Sequence, residues 1–169
     1  MGSEYINIIF SVIYIFIISY ALVSDFNNLI IPNWCSIALF SGFLLYSLLF
    51  LTMRDFAWHL LASVIAFALG IGFYAFKWFG AGDVKLLAAV MLWGGPANAL
   101  VFVIWMALFG WILAFGLIAL KFYLNATPGV FSDSVLLRRP MEWLEEGVCP
   151  YGIAIGIAAM IIAPAIFTP

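Results

Sequence analysis

Two acidic residues stand beside long apolar runs of this sequence. Asp25 follows the first apolar run, and Asp83 comes after Gly80 and Gly82 and directly before another apolar run. An ionisable side chain within a membrane costs about 3 kcal/mol on insertion scales, so such residues are rare and usually functional. Two carboxylates that share a proton can serve as general acid and general base, which is the chemistry of aspartic proteolysis.

Each acid also has a simpler structural interpretation. Asp83 could cap the N-terminus of a helix, and Asp25 could be the polar residue that ends one. Capping alone would require neither a second acid nor Gly80 and Gly82, whose backbones can take positive φ and let a peptide approach closely. The pattern therefore favours a paired acid site with a Gly-x-Gly entrance. Lys85 does not share a helix face with Asp83 and is interpreted as marking the membrane interface.

The composition predicts a polytopic membrane protein. The chain has 169 residues, of which 67% are hydrophobic and 8% are charged, with a mean hydropathy of +1.22. Soluble domains carry about 25% charged residues. A net charge of -2 gives no indication of nucleic-acid binding. Cys35 and Cys149 form no zinc pattern, and no metal or cofactor is expected.

The apolar runs predict an all-α bundle of about six transmembrane helices, in one transmembrane domain over residues 1–169. A straight helix over residues 84–120 would be about 55 Å long, so Gly94-Gly95-Pro96 is expected to break it and leave a short fourth helix. The second helix is expected to begin near Pro32 and Asn33, where asparagine side chains cap it, form turns or hold a substrate backbone. The predicted spans are residues 5–23, 33–52, 56–76, 84–93, 97–120 and 151–167.

The distribution of positive charge predicts the orientation. With six spans, five of the six Lys and Arg residues fall on one side and only Arg54 falls on the other. The positive-inside rule makes the first side cytoplasmic, so Asp25 and Asp83 lie at the cytoplasmic face and both termini lie outside. Residues 121–150 form a cytoplasmic loop, either with an interfacial helix or as a cover over the acids that helps to dock substrate.

Other side chains of chemical interest receive simpler interpretations. His59 is expected at the external end of the third span, too far from the acids to act as the base of a Ser-His or Cys-His mechanism. Several tryptophans fall near predicted span ends, as an interfacial belt requires; they are Trp34, Trp58, Trp78, Trp93 and Trp143.

Three segments resemble the type IV prepilin peptidase family. In the first, Asp25 is followed at close range by Ile31-Pro32-Asn33, which is similar to the family's first-aspartate motif. In the second, residues 80–89 resemble the Gly-x-Gly-Asp motif with its Val-Lys-Leu continuation. In the third, residues 150–156 resemble the last-helix entry of the short members. The resemblance covers essentially the whole chain, in order and at plausible spacing.

The resemblance implies an aspartic endopeptidase of the bacterial inner membrane that removes leader peptides from prepilins or pseudopilins. Asp25 and Asp83 match the two catalytic aspartates, while the supporting motif residues are Gly80, Gly82, Lys85, Pro32 and Asn33. The lipid bilayer is the other expected partner, and no oligomeric state is indicated. The chain lacks the paired Cys-x-x-Cys motifs of the methylating members, so it resembles the short, peptidase-only type associated with tight-adherence (Flp/Tad) pili.

A second class of function uses similar features. Paired acids, a broken helix and glycine-rich turns also occur in small proton-coupled or cation-coupled transporters. Such a pathway should expose polar groups toward both sides of the membrane, and the predicted spans offer few between their ends. A structural or assembly protein is a third alternative, although it would not explain two acids at one membrane face.

Overall fold

A computed structural model of the chain describes residues 2–126 and 138–167. All secondary-structure elements in these ranges are helices: α1 (Gly2–Asn28), α2 (Asn33–Phe50), α3 (Met53–Ala75), α4 (Ala81–Ala126), α5 (Arg138–Glu146) and α6 (Tyr151–Phe167). By length and composition α1 to α4 can each cross a membrane, and α6 is a shorter apolar helix. The predicted all-α polytopic membrane fold is confirmed.

The long helix α4 is broken where the sequence predicts it. Gly95 has φ 60° and ψ -173°, outside the helical region, and Pro96 follows it. A backbone of that shape is essentially restricted to glycine. The break divides α4 into a first limb, residues 81–94, about 21 Å long at 1.5 Å per residue, and a longer second limb, residues 96–126. Counted with these two limbs, the apolar helical segments within residues 2–126 and 138–167 number six.

The first helix runs further than the hydropathy pattern indicates. The predicted span ends at Val23, but α1 continues to Asn28 and so includes Asp25 in its last turns. Polar side chains stabilise this extension, because they donate hydrogen bonds to main-chain oxygens near the helix end. The Ser24 hydroxyl, for example, donates to the carbonyl oxygen of Ile30 at 2.8 Å. Asp25 is therefore held on a helix instead of in the connection that follows.

The second and third helices begin with different kinds of cap. Pro32 occupies the N-cap position of α2 without any side-chain cap, so Asn33 does not cap this helix. Thr52 caps α3, because its Oγ1 accepts the backbone N–H of Asp55 at 3.2 Å. The connection between α2 and α3 is short, because α2 ends at Phe50 and α3 begins at Met53.

The first limb of α4 forms the centre of the bundle. α4 packs against α2, α3 and α6, and α1 packs against α2 and α6. Trp93, near the end of the first limb, is 3% exposed and donates through Nε1 to the carbonyl oxygen of Leu39 at 2.9 Å. Its prediction as an interfacial residue is wrong, as is that of Trp143, also 3% exposed. The rings that contact Trp93 are Phe10, Tyr14, Phe43, Tyr46 and Phe167.

Candidate active site

The fold brings Asp25 and Asp83 to the same cavity. Asp25 lies near the end of α1 and Asp83 in the first turn of α4, so the two acids come from helix ends that face each other. The cavity has a volume of about 710 Å³. Asp25 is 4% exposed and Asp83 is 7% exposed. Two carboxylates separated by more than fifty residues in sequence thus share one buried site and interact electrostatically.

The loop before α4 holds Asp83 in place. The backbone N–H of Gly80 donates to Oδ2 of Asp83 at 2.8 Å, and a side chain at Gly80 would begin only 3.3 Å from that oxygen. A side chain at Gly82 would begin 3.0 Å from Cβ of Ile31. Of the glycines in the described ranges, only Gly95 and Gly147 have positive φ. The Gly-x-Gly segment therefore provides close packing around Asp83, and its conformation does not require positive φ.

The N-terminus of α6 approaches both acids. Backbone N–H groups of Gly152 and Ile153 interact with the Asp25 carboxylate, and that of Gly152 also interacts with Asp83. Oδ2 of Asp25 is buried and has no hydrogen-bond partner within residues 2–126 and 138–167. The site thus combines two carboxylates, the N-terminus of a helix and one buried carboxylate oxygen that receives no hydrogen bond from the described residues.

The remaining motif residues lie away from the cavity. Lys85 donates through Nζ to Oδ1 of Asn33 at 2.7 Å, which joins α4 to the start of α2. Both residues line a second cavity of about 600 Å³ between α2, α3 and α4. Pro32, the N-cap residue of α2, does not line the cavity that holds the aspartates. Of the five supporting residues, only Gly80 lines the cavity that contains Asp25 and Asp83.

Several cavity residues were not identified from sequence. They lie at or after the end of α3, or before and at the start of α6, and they are Tyr74, Lys77, Trp78, Phe79, Cys149, Pro150 and Tyr151. Burial, together with the charges of Asp25 and Asp83, raises the pKa of the Cys149 thiol to about 11. Such a thiol stays protonated near neutral pH. Only the resemblance of residues 150–156 to a family segment indicated that this part of the chain belongs near the acids.

The short helix α5 lies beside the same site. The ring of Trp143 meets that of Phe26, the residue after Asp25, edge to face with centroids 5.1 Å apart. Residues 121–150 are described only in part, since residues 127–137 fall outside the described ranges. Among the described residues, no three His, Cys, Asp or Glu side chains come together as a metal site would require.

Comparison with known proteins identifies the family. The family model of the type IV leader peptidase family matches residues 12–115, well over half of the chain. No curated protein and no solved structure matches the chain. The matched region contains both Asp25 and Asp83, together with the break in α4. This chain therefore belongs to the type IV leader peptidase family.

Proposed function

We propose that this leader peptidase is an aspartic endopeptidase in which Asp25 and Asp83 are the catalytic pair. One observation carries the proposal: two buried carboxylates, at the end of α1 and the start of α4, line one cavity. Buried carboxylates close to each other can hold a single proton between them. That condition allows one group to act as an acid while the other acts as a base.

The chemistry requires one protonated and one ionised aspartate. The ionised carboxylate removes a proton from a water molecule, which attacks the scissile carbonyl carbon. The protonated carboxylate donates its proton to the carbonyl oxygen, and the roles exchange as the amine leaves. The unpartnered Oδ2 of Asp25 supports this scheme, because no donor from the described residues occupies it. The bond from Gly80 to Asp83 fixes the second carboxylate at the same time.

We propose that the substrates are prepilins or pseudopilins, cut at the cytoplasmic face of the inner membrane. The family supports leader peptides as the substrate class. The apolar helix of the substrate would remain in the bilayer with its basic leader in the cytoplasm. The five Lys and Arg residues on the side of Asp25 and Asp83 support this orientation. In the same frame both termini of the chain lie outside.

The cavity wall is suited to a peptide that leaves the membrane. The aromatic residues Tyr74, Trp78 and Tyr151 line the cavity, and so does the basic residue Lys77. Aromatic rings with polar ends are typical of the membrane interface. A scissile bond between an apolar helix and a polar leader would therefore meet apolar and polar groups together at this site.

The chain resembles the peptidase-only members associated with Flp/Tad pili, and we propose that it does not methylate its product. Its two cysteines, Cys35 and Cys149, lie far apart in sequence and form no Cys-x-x-Cys pair. Incubation with prepilin and a radiolabelled methyl donor tests this directly. Cleaved but unlabelled product is expected, whereas label on the new N-terminus would overturn this part of the proposal.

The proposed activity is tested with the purified protein in liposomes and a synthetic prepilin. Mass spectrometry should show cleavage at one bond, at the end of the leader. The same liposomes report on the rival transporter function, because proton or cation flux can be followed with a dye. Cleavage without flux supports the peptidase, and flux without cleavage would contradict it.

A further inference from the structure

The N-terminus of α6 lies between the two acids, and Gly152 is the residue at which it contacts both. Gly152 is in the first turn of this helix, next to Tyr151, at which the helix begins. Backbone N–H groups in the first turn have no acceptor within their own helix. That of Gly152 interacts with the carboxylates of both Asp25 and Asp83. The start of α6 therefore lies within reach of both carboxylates.

The absence of a side chain at this position is a steric requirement. A Cβ atom at Gly152 would lie 2.6 Å from Oδ2 of Asp25 and 2.6 Å from Cδ1 of Ile31. Both distances are far below van der Waals contact. Gly152 itself is buried, and Pro150, two residues earlier, is fully buried as well. The helix start has little room to shift, so the Asp25 carboxylate would have to move instead.

Another glycine of the same helix provides a comparison. Gly156 lies one turn further along α6, and a Cβ atom there would lie 3.2 Å from Cδ1 of Leu22, the far end of an apolar side chain. Cβ of Leu22 would lie 3.3 Å away, so the new methyl group requires α1 and α6 to shift by only a few tenths of an ångström. The two glycines thus differ in what they face: Gly156 faces an apolar side chain at more than 3 Å, and Gly152 faces Oδ2 of Asp25 at 2.6 Å.

We infer that Gly152 is a positioning residue that sets the separation and orientation of the two aspartates. Its N–H interacts with both carboxylates, and its missing side chain leaves the space that Oδ2 of Asp25 occupies. This inference rests on the proposed function of the two aspartates. It also assigns a role in the site to α6, which lies beyond the residues that the family model matches.

The inference predicts a specific effect of Gly152→Ala. The alanine methyl group should displace the Asp25 carboxylate by several tenths of an ångström and weaken its contact with the shared N–H. Misplacing a reacting group by about 1 Å can cost roughly 100-fold in rate. We therefore expect kcat to fall by about 100-fold while KM changes by less than about threefold, because the peptide-binding wall is untouched.

Two further variants separate positioning from packing. Gly156→Ala is the matched control on the same helix, and it should keep kcat near the wild-type value. The double variant Gly152→Ala with Ile31→Val removes the Cδ1 atom that the new methyl group would strike. It should remain as slow as Gly152→Ala, since the overlap with Asp25 persists. Ile31→Val alone should cleave normally.

The experiment measures kcat and KM for these variants, with Asp25→Asn and Asp83→Asn assayed in parallel and melting temperatures recorded for all. Wild-type kcat in Gly152→Ala, or its recovery in the double variant, would overturn the inference. Loss of folded protein in both Gly152→Ala and the double variant would also overturn it, because Gly152 would then have a structural role. Cleavage by either aspartate variant would instead refute the proposed function, so the two failures are distinguishable.

Discussion

The Nδ1 atom of His59 lies 2.8 Å from the main-chain oxygen of Leu92. In a regular helix that oxygen would accept the N–H of residue 96, but Pro96 has none. A carbonyl oxygen can only accept, so the imidazole donates. A side chain at Gly95 would begin 2.6 Å from the same imidazole ring. At the break in α4, the Leu92 carbonyl oxygen thus accepts a hydrogen bond from a side chain of α3. The same imidazole ring occupies the space that Gly95 leaves.

Loss of this contact should destabilise the bundle. His59→Ala leaves the Leu92 oxygen without a partner, and we expect the free energy of unfolding to fall by about 1–2 kcal/mol. His59→Asn is the matched control, because its amide can donate from a position close to that of Nδ1. Reversible unfolding in detergent micelles measures both. Equal stability of His59→Ala and the wild type would show that the break does not depend on this bond.

A larger residue at Gly82 should impair cleavage. Gly82→Val would press on Cβ and the main-chain oxygen of Ile31, which lie 3.0 Å and 3.3 Å from the position of a Cβ atom. The start of α4 would move away from the connection that follows α1, and Asp83 would move relative to Asp25. A decrease in kcat of about 100-fold is expected.

The control for Gly82→Val is Gly72→Val on α3, where nothing lies within 4 Å of an added Cβ. It should cleave prepilin at close to the wild-type rate. If Gly82→Val folded and cut at that rate too, the close packing of the Gly-x-Gly segment would not matter for activity.

The thiol of Cys149 should react slowly. Burial and the negative charges of Asp25 and Asp83 raise its pKa to about 11 from an ordinary 9.0. Because only the thiolate reacts, a higher pKa lowers the rate; at pH 8 we expect alkylation roughly 100-fold slower than at an unshifted thiol. Mass spectrometry of a Cys35→Ala protein treated with iodoacetamide measures this rate.

Neutralising the acids should speed that reaction. Asp25→Asn with Asp83→Asn, in the same Cys35→Ala background, removes the negative charge that the acid pair carries near the thiol, and the pKa of Cys149 should then decrease. An unchanged alkylation rate would mean that the charges do not reach the thiol. A rate in the parent protein equal to that of free glutathione would contradict its burial.

The orientation can be tested without substrate. In a protein lacking Cys35 and Cys149, a cysteine at Asn28 should react only with reagents that enter the cytoplasm. A cysteine at Asp55 should react from outside. The physical basis is the five-to-one distribution of Lys and Arg between the two predicted faces. Labelling of the Asn28 position from outside would place Asp25 away from the cytoplasm and would contradict cleavage at the cytoplasmic face.

The sequence predicts the elements of this fold well because their signals are local. Apolar runs of membrane-spanning length identify the helices, and Gly95 with Pro96 identifies the break. Asp25 and Asp83 are the only carboxylates that interrupt apolar runs at one predicted face, so their pairing follows from counting spans. The confirmed features, helix content and the broken fourth helix, depend on short stretches of chain.

Contacts between distant segments could not be predicted in the same way. The approach of Gly152 to Asp25 joins residues more than 120 positions apart, and no local pattern encodes it. Tryptophan is a residue type typical of the membrane interface, yet the packing of α1, α2 and α6 around Trp93 buries its ring. Lys85 likewise finds its partner, Asn33, on another helix. These features depend on how the helices meet and not on their own sequences.

The central claim is that Asp25 and Asp83 together cut the leader peptide. Asn has nearly the size of Asp but neither its charge nor its proton, so Asp25→Asn and Asp83→Asn remove the chemistry with little change in packing. The most direct measurement is the rate of prepilin cleavage by each purified, folded variant. The account predicts a loss of at least about 1000-fold for each. Cleavage near the wild-type rate by either variant would contradict it.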